Sequence, residues 1–170
     1  TLYSGWYVVD RDMTISGRLT VSGTVNLILC DHKTLTLKSG ITVLSSDTLN
    51  VFGQSDKKED MGKLYAHPED ADGNSLENAA VIGGTEGDPN AGTVNIHGGA
   101  VDLHAPSDAG LFWDSKGAAI GGGVKGAPSN GDGILIYGGK VDARSGAGNG
   151  DGAAAIGGGY DSPHASGTIR

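Results

Sequence analysis

Gly117-Ala-Ala-Ile-Gly-Gly-Gly123 decides how this chain is read, because it has two companions, Asn78-Ala-Ala-Val-Ile-Gly-Gly84 and Gly152-Ala-Ala-Ala-Ile-Gly-Gly-Gly159. Their isoleucines, Ile82, Ile120 and Ile156, are 38 and 36 residues apart. Between copies stands a second phrase, Thr93-Val-Asn-Ile-His-Gly-Gly99 and then Gly133-Ile-Leu-Ile-Tyr-Gly-Gly139, followed by a third, Val101-Asp-Leu103 and Val141-Asp-Ala143. Self-similarity at such a period is the mark of a solenoid, whose units bury a core only by stacking on their neighbours.

Working outward, the N-terminal third obeys the same order. The second phrase is matched by Thr24-Val-Asn-Leu27 and Thr48-Leu-Asn-Val51, and Trp6-Tyr-Val-Val9 reads as its first copy. The third is matched by Met13-Thr-Ile15, Leu35-Thr-Leu37 and Lys63-Leu-Tyr-Ala66, and the first by Leu19-Thr-Val21 and Ile41-Thr-Val43. Period-two alternation points Val25, Leu27, Leu49, Val51, Val94, Ile96, Ile134 and Ile136 inward. The expected fold is all-β: a parallel β-helix solenoid with three short strands per coil and long Gly-rich loops. It fills residues 1–170 as one domain, with about 22 residues per coil at first and about 36–40 later. Long, uneven loops favour the right-handed form. Gly167-Thr-Ile-Arg170 starts another copy of the second phrase, so the reading expects a domain cut in mid-coil. An open β-edge there would pair with a C-terminal remainder or with a second copy.

Composition excludes several classes. The chain has 31 glycines in 170 residues without a collagen period, and they alternate with Val, Ile and Leu, which favours a folded chain over a disordered one. A net charge of −8 leaves no basic stripe for phosphates, so nucleic acid is not an expected partner. Cys30 is the single cysteine, which rules out an intrachain disulfide and a thiolate metal cluster. No apolar run is long enough for a membrane-spanning helix, and no membrane insertion is expected.

Loops lengthen on both sides of the first phrase, whose strands carry only Ala, Val and Ile. The expectation is a shallow trough with a small-residue floor and two loop walls, holding Trp113, Asp114, Tyr160, Asp161 and His164. The Gly-rich turns are expected to serve the chain's path rather than phosphate binding, since neither a P-loop nor a dinucleotide fingerprint is present. Phe52, His97 and Tyr137 share one outward position, where rings suit sugar C–H faces while Asp, Asn and His take hydroxyls; the competing reading is a stiffening ladder. Asp70, Asp72, Asn74 and Glu77 resemble the start of a calcium loop, although Gly73 falls early and the closing acid is near. No cofactor is expected unless calcium binds there. His67, His104 and Arg144 align at the outer end of the third phrase, but without a third ligand at that level a solvated edge is expected rather than a metal. Asp102 and Asp142 also align, and like charges on successive coils argue for solvent. Acids are plentiful enough for a polysaccharide-degrading enzyme, but they sit in Gly-rich loops and no stacked Lys/Arg pair stands beside an acidic site, so no enzyme is expected.

Trp6-Tyr-Val-Val-Asp10, Met13-Thr-Ile-Ser16, Val25-Asn-Leu-Ile-Leu29, Gly40-Ile-Thr-Val43 and the Ala-Ala-Ile-Gly-Gly-Gly copies resemble the glycine-rich repeat modules of large secreted or cell-wall-attached, adhesin-like proteins of Gram-positive gut bacteria. The likeness spans nearly the whole chain. It implies a secreted or bacterial cell-surface module that binds host glycans or glycoproteins such as mucin or immunoglobulin, and it carries over no ligand-binding residues. Gln54–Lys63, His67–Asn78 and Ala105–Lys116 depart from the shorter loops of such modules. A structural spacer is the alternative.

Overall fold

Short runs of alternating β-branched and polar residues fit a pleated, half-buried surface. The computed structural model describes residues 1–68, 78–106, 117–126, 133–145 and 152–162, and its regular elements there are all strands. Among the described residues no helix is long and apolar enough to cross a membrane.

Five strands form one parallel sheet in the order β2 (Met13–Ile15), β4 (Thr34–Leu37), β7 (Lys63–Ala66), β10 (Ala100–His104) and β13 (Lys140–Arg144). A second sheet has two limbs that meet in β3 (Leu19–Leu29). Along one limb β1 (Leu2–Val9) and β6 (Thr48–Gly53) flank β3, and β9 (Thr93–Ile96) and β12 (Ile134–Ile136) follow. Along the other limb run β5 (Ile41–Thr42), β8 (Ile82–Gly83), β11 (Ile120–Gly121) and β14 (Ile156–Gly157). Every strand pair in both limbs is parallel, so the fold is all-β with parallel sheets.

Register follows the repeated phrases. Val25, Leu49, Val94 and Ile134 pair in one row, and Ile41, Ile82, Ile120 and Ile156 in another. A single core cluster draws Leu27, Leu49, Ile96, Ile120 and Ile134 from the larger sheet and Leu37, Leu64 and Leu103 from the smaller. Ile136 is only half-buried, because β12 is the outermost strand of its limb among the described residues. The two segments expected as separate strands at residues 19–21 and 24–27 are one strand: Gly23 turns it at φ 82 without ending it, so β3 serves both limbs.

A charged side chain ties successive segments of the N-terminal half together. The Arg18 guanidinium donates to Thr42 Oγ1 at 2.7 Å, to the carbonyls of Ser39 and Ala80 at 2.7 Å each, and to that of Ile41 at 3.3 Å. Burial pushes its pKa down to about 10. Its partners are neutral oxygens, so dipoles rather than a counter-charge satisfy it.

The small-residue floor expected at the first phrase is covered in the first two copies, while in the third Ala154 is exposed and Ala153 and Ala155 are half-buried. Ala80, Val81, Ala118 and Ala119 are fully buried. Backbone hydrogen bonds tie the second copy to the first, with Gly123 N–H donating to Pro89 O at 2.9 Å and Val124 N–H to Asn78 O at 2.9 Å. The Gly-rich amides are used in the same way: Gly84 N–H meets Gly121 O at 3.0 Å and Gly122 N–H meets Gly157 O at 2.9 Å. These amides are taken up by backbone carbonyls of the neighbouring copy.

Candidate functional site

Two rows of side chains stand on the outside of the sheets. On the β1–β12 limb, residues alternate with the core, so Asn26, Asn50 and Asn95 occupy one outer row and Ile28, Phe52, His97 and Tyr137 the next. The amides form a chain: Asn95 Nδ2 donates to Asn50 Oδ1 at 2.8 Å, Asn50 Nδ2 to Asn26 Oδ1 at 2.8 Å, and Asn26 Nδ2 to Gly5 O at 3.3 Å. The next residue in register is Leu135, which has no side-chain donor, so Asn95 Oδ1 is buried without a hydrogen-bond partner among the described residues.

The rings lie flat on one another. Phe52 and His97 stack at 4.5 Å with 6° between planes, His97 and Tyr137 at 4.8 Å with 7°, and Trp6 leans on Phe52 at 5.5 Å. Their spacing is that of neighbouring strands. His97 and Tyr137 therefore do come together, with Tyr137 65% exposed at the end of the row among the described residues. Tyr160 and Asp161 lie elsewhere, in a turn after β14 where Asp161 has φ 55 and Tyr160 O accepts from Lys125 N–H at 2.8 Å. Trp113, Asp114 and His164 lie outside the described residues, as do Asp70, Asp72, Asn74 and Glu77.

The other row corrects the expectation of a solvated edge. On the outside of the five-stranded sheet, Tyr65, Asp102 and Asp142 share one register position. His67, His104 and Arg144 lie two residues further along the same faces. Asp102, 24% exposed, accepts from Lys63 Nζ at 2.7 Å and meets His67 Nε2 at 2.8 Å. His104 Nε2 stands 3.3 Å from the same Asp102 Oδ1 and 3.9 Å from Asp142. His67 and His104 stack with centroids 3.6 Å apart, and Tyr65 caps His67 at 4.0 Å. Arg144 grips Asp142 through Nε and Nη2, both at 3.0 Å.

Asp102 and Asp142 thus each have basic partners, in a row still partly open to solvent, where Asp142 is 36% and Arg144 63% exposed. Burial alone would raise the Asp102 carboxyl, but hydrogen bonds from Lys63 and His67, and then their charges, hold it below the ordinary carboxylate range. The hydrogen bonds from Arg144 lower Asp142, with the guanidinium charge adding to them. Burial lowers the His104 pKa first, and the nearby His67 and Arg144 add to that against the two aspartates. His104 Nε2 is buried and makes no hydrogen bond among the described residues, despite the short approach to Asp102.

Lys63 and Lys140 share a row through Ala100, beside the aspartates. The two lysines are therefore one strand apart from direct neighbours, with Ala100 of β10 between them. With Lys58, Met61, Asp102 and Asp142 they line a groove of about 210 Å³. Lys63 is already engaged by Asp102 and lies 4.7 Å over the Tyr65 ring. The placing of Asp102 beside the two histidines was within reach of sequence reasoning, since Asp102 and His104 are two apart on one strand and must share a face. Comparison with protein-family models, with curated proteins and with solved structures finds no match.

Proposed function

We propose that this chain is a parallel β-helix, right-handed and with three short strands per coil, acting as a binding or adhesion module for a glycan or glycoprotein, secreted or at a bacterial surface. The unbroken parallel register of the phrases supports the coil, and the glycine-rich resemblance supports the setting. The observation that carries the binding reading is the outer face of the β1–β12 limb. There a row of stacked rings ends in Tyr137, 65% exposed. An open aromatic face of this kind suits the C–H face of a sugar ring.

One observation favours the spacer alternative: interior rings of the row spend their faces on each other, leaving ring edges outward. Retention of the chain on immobilised mucin, on deglycosylated mucin and on immunoglobulin separates these readings. Binding lost on deglycosylation supports a glycan-binding module, and binding to the bare proteins supports a protein receptor. Retention on none of them leaves the spacer.

A further inference from the structure

We propose that His67, Asp102 and His104 form a site for one divalent transition-metal ion of the zinc class, bound through the two imidazoles and one carboxylate oxygen. One potential ligand atom from each residue lies within 4.8 Å of the others. Both Nε2 atoms converge on the same oxygen, Asp102 Oδ1, at 2.8 and 3.3 Å. Ligands at about 2.0–2.2 Å from a tetrahedral ion are roughly 3.4 Å apart, so shifts of about 1 Å bring the three atoms to coordinating positions.

The chemistry without an ion is frustrated. Asp102 Oδ1 takes its proton donor from His67 at 2.8 Å, while His104 Nε2 approaches the same oxygen at 3.3 Å with no hydrogen bond formed. His104 Nε2 is thus a buried polar atom without a partner among the described residues, and a cation between it and Asp102 Oδ1 would give both atoms a ligand role. Lys63 holds the other oxygen, Oδ2, at 2.7 Å, which fixes the carboxylate and leaves Oδ1 for an ion, as outer partners of metal ligands do. The stacked rings, 16° from parallel, cannot both aim at one ion as they stand. One must turn about its Cβ–Cγ bond, and His104 breaks no hydrogen bond in doing so. Imidazole ligands select zinc, nickel or copper over calcium and magnesium. The ion would clamp β7 to β10, binding without any need for catalysis.

The test is isothermal titration of the full, tag-free chain with zinc sulfate, with cobalt(II) replacing zinc for visible absorption. One ion per chain is expected, with an intense cobalt spectrum and no competition from excess calcium. His67→Ala and His104→Ala should each weaken binding about 10–100-fold, while His32→Ala, outside the cluster, leaves it unchanged. Circular dichroism checks that each variant keeps its sheets. On the unaltered chain, paramagnetic broadening by cobalt should strike the His67 and His104 ring protons first. Absence of binding at a tenfold molar excess of zinc, equal affinity in the His67→Ala/His104→Ala double variant, or broadening centred on other residues would overturn the site.

Discussion

Replacing Gly121 by alanine should come close to unfolding the later strands, and the structure says by how much. Gly121 has φ 135, a region that residues with a Cβ rarely occupy. An added Cβ would sit 1.9 Å from the carbonyl oxygen of Gly157 and 2.9 Å from its carbon, both backbone atoms of the paired strand β14. Since Cβ contacts under 3.0 Å essentially do not occur, β11 and β14 would have to part by at least about 1.1 Å. That also strains the bond from Gly122 N–H to Gly157 O, now 2.9 Å. Backbone strain of about 1–3 kcal/mol and overpacking of about 1–3 kcal/mol together suggest a loss of about 4 kcal/mol. The matched control is Gly87→Ala, where a Cβ meets open space and the expected change is within about 0.5 kcal/mol. With a urea slope of roughly 2 kcal/mol/M, Gly121→Ala should lower the unfolding midpoint by about 2 M, followed by far-ultraviolet circular dichroism. Equal midpoints for the two variants would refute the reasoning that the Ala-Ala-Ile-Gly-Gly-Gly copies exist for close stacking.

Three further outcomes follow from other contacts. Arg18→Leu strips four oxygens of their donor, one of them the buried Thr42 hydroxyl, and should lower stability by about 3 kcal/mol in urea titration; a loss under about 1 kcal/mol would mean that water replaces the guanidinium. Asn50→Leu breaks the amide chain on both sides and should destabilise by about 1–2 kcal/mol in the same assay, whereas Asn95→Leu, which removes the orphaned Oδ1 along with a single bond, should be closer to neutral. Phe52→Ala removes the middle of the ring row and should cost about 2–3 kcal/mol in thermal unfolding, through lost burial and the stack with His97; an unchanged midpoint would show the row to be ornamental to the fold.

The strands and their register were legible because period-two alternation recurs in phrases that stack like on like, from Met13 against Leu35 to Val101 against Val141. What the phrases concealed is instructive. Gly23 reads as a break between strands but bends one continuous strand, since a single glycine at positive φ redirects the chain without interrupting its pairing. Ala118 and Ala119 read as an exposed floor, yet small size also suits a fully buried side chain. Arg18, amid Ser16 and Gly17, looks like a surface residue; only the folded carbonyls of Ser39, Ile41 and Ala80 reveal why it is buried. The histidine cluster was half seen: comparing residues down the columns aligned His67 with His104, but Asp102 enters along the strand, and both directions are needed to assemble it.

Calorimetric titration of unaltered chain and Tyr137→Ala with a pool of mucin glycans released from their protein addresses the proposed function most directly. Tyr137 is exposed and packs only against the ring of His97 among the described residues, so its removal should leave the fold intact. The account predicts saturable binding by the unaltered chain and a loss of at least about tenfold in the variant, the order expected for one aromatic anchor. Equal affinity in the two would contradict the placement of the binding face on the ring row, and no heat from either would contradict glycan binding itself.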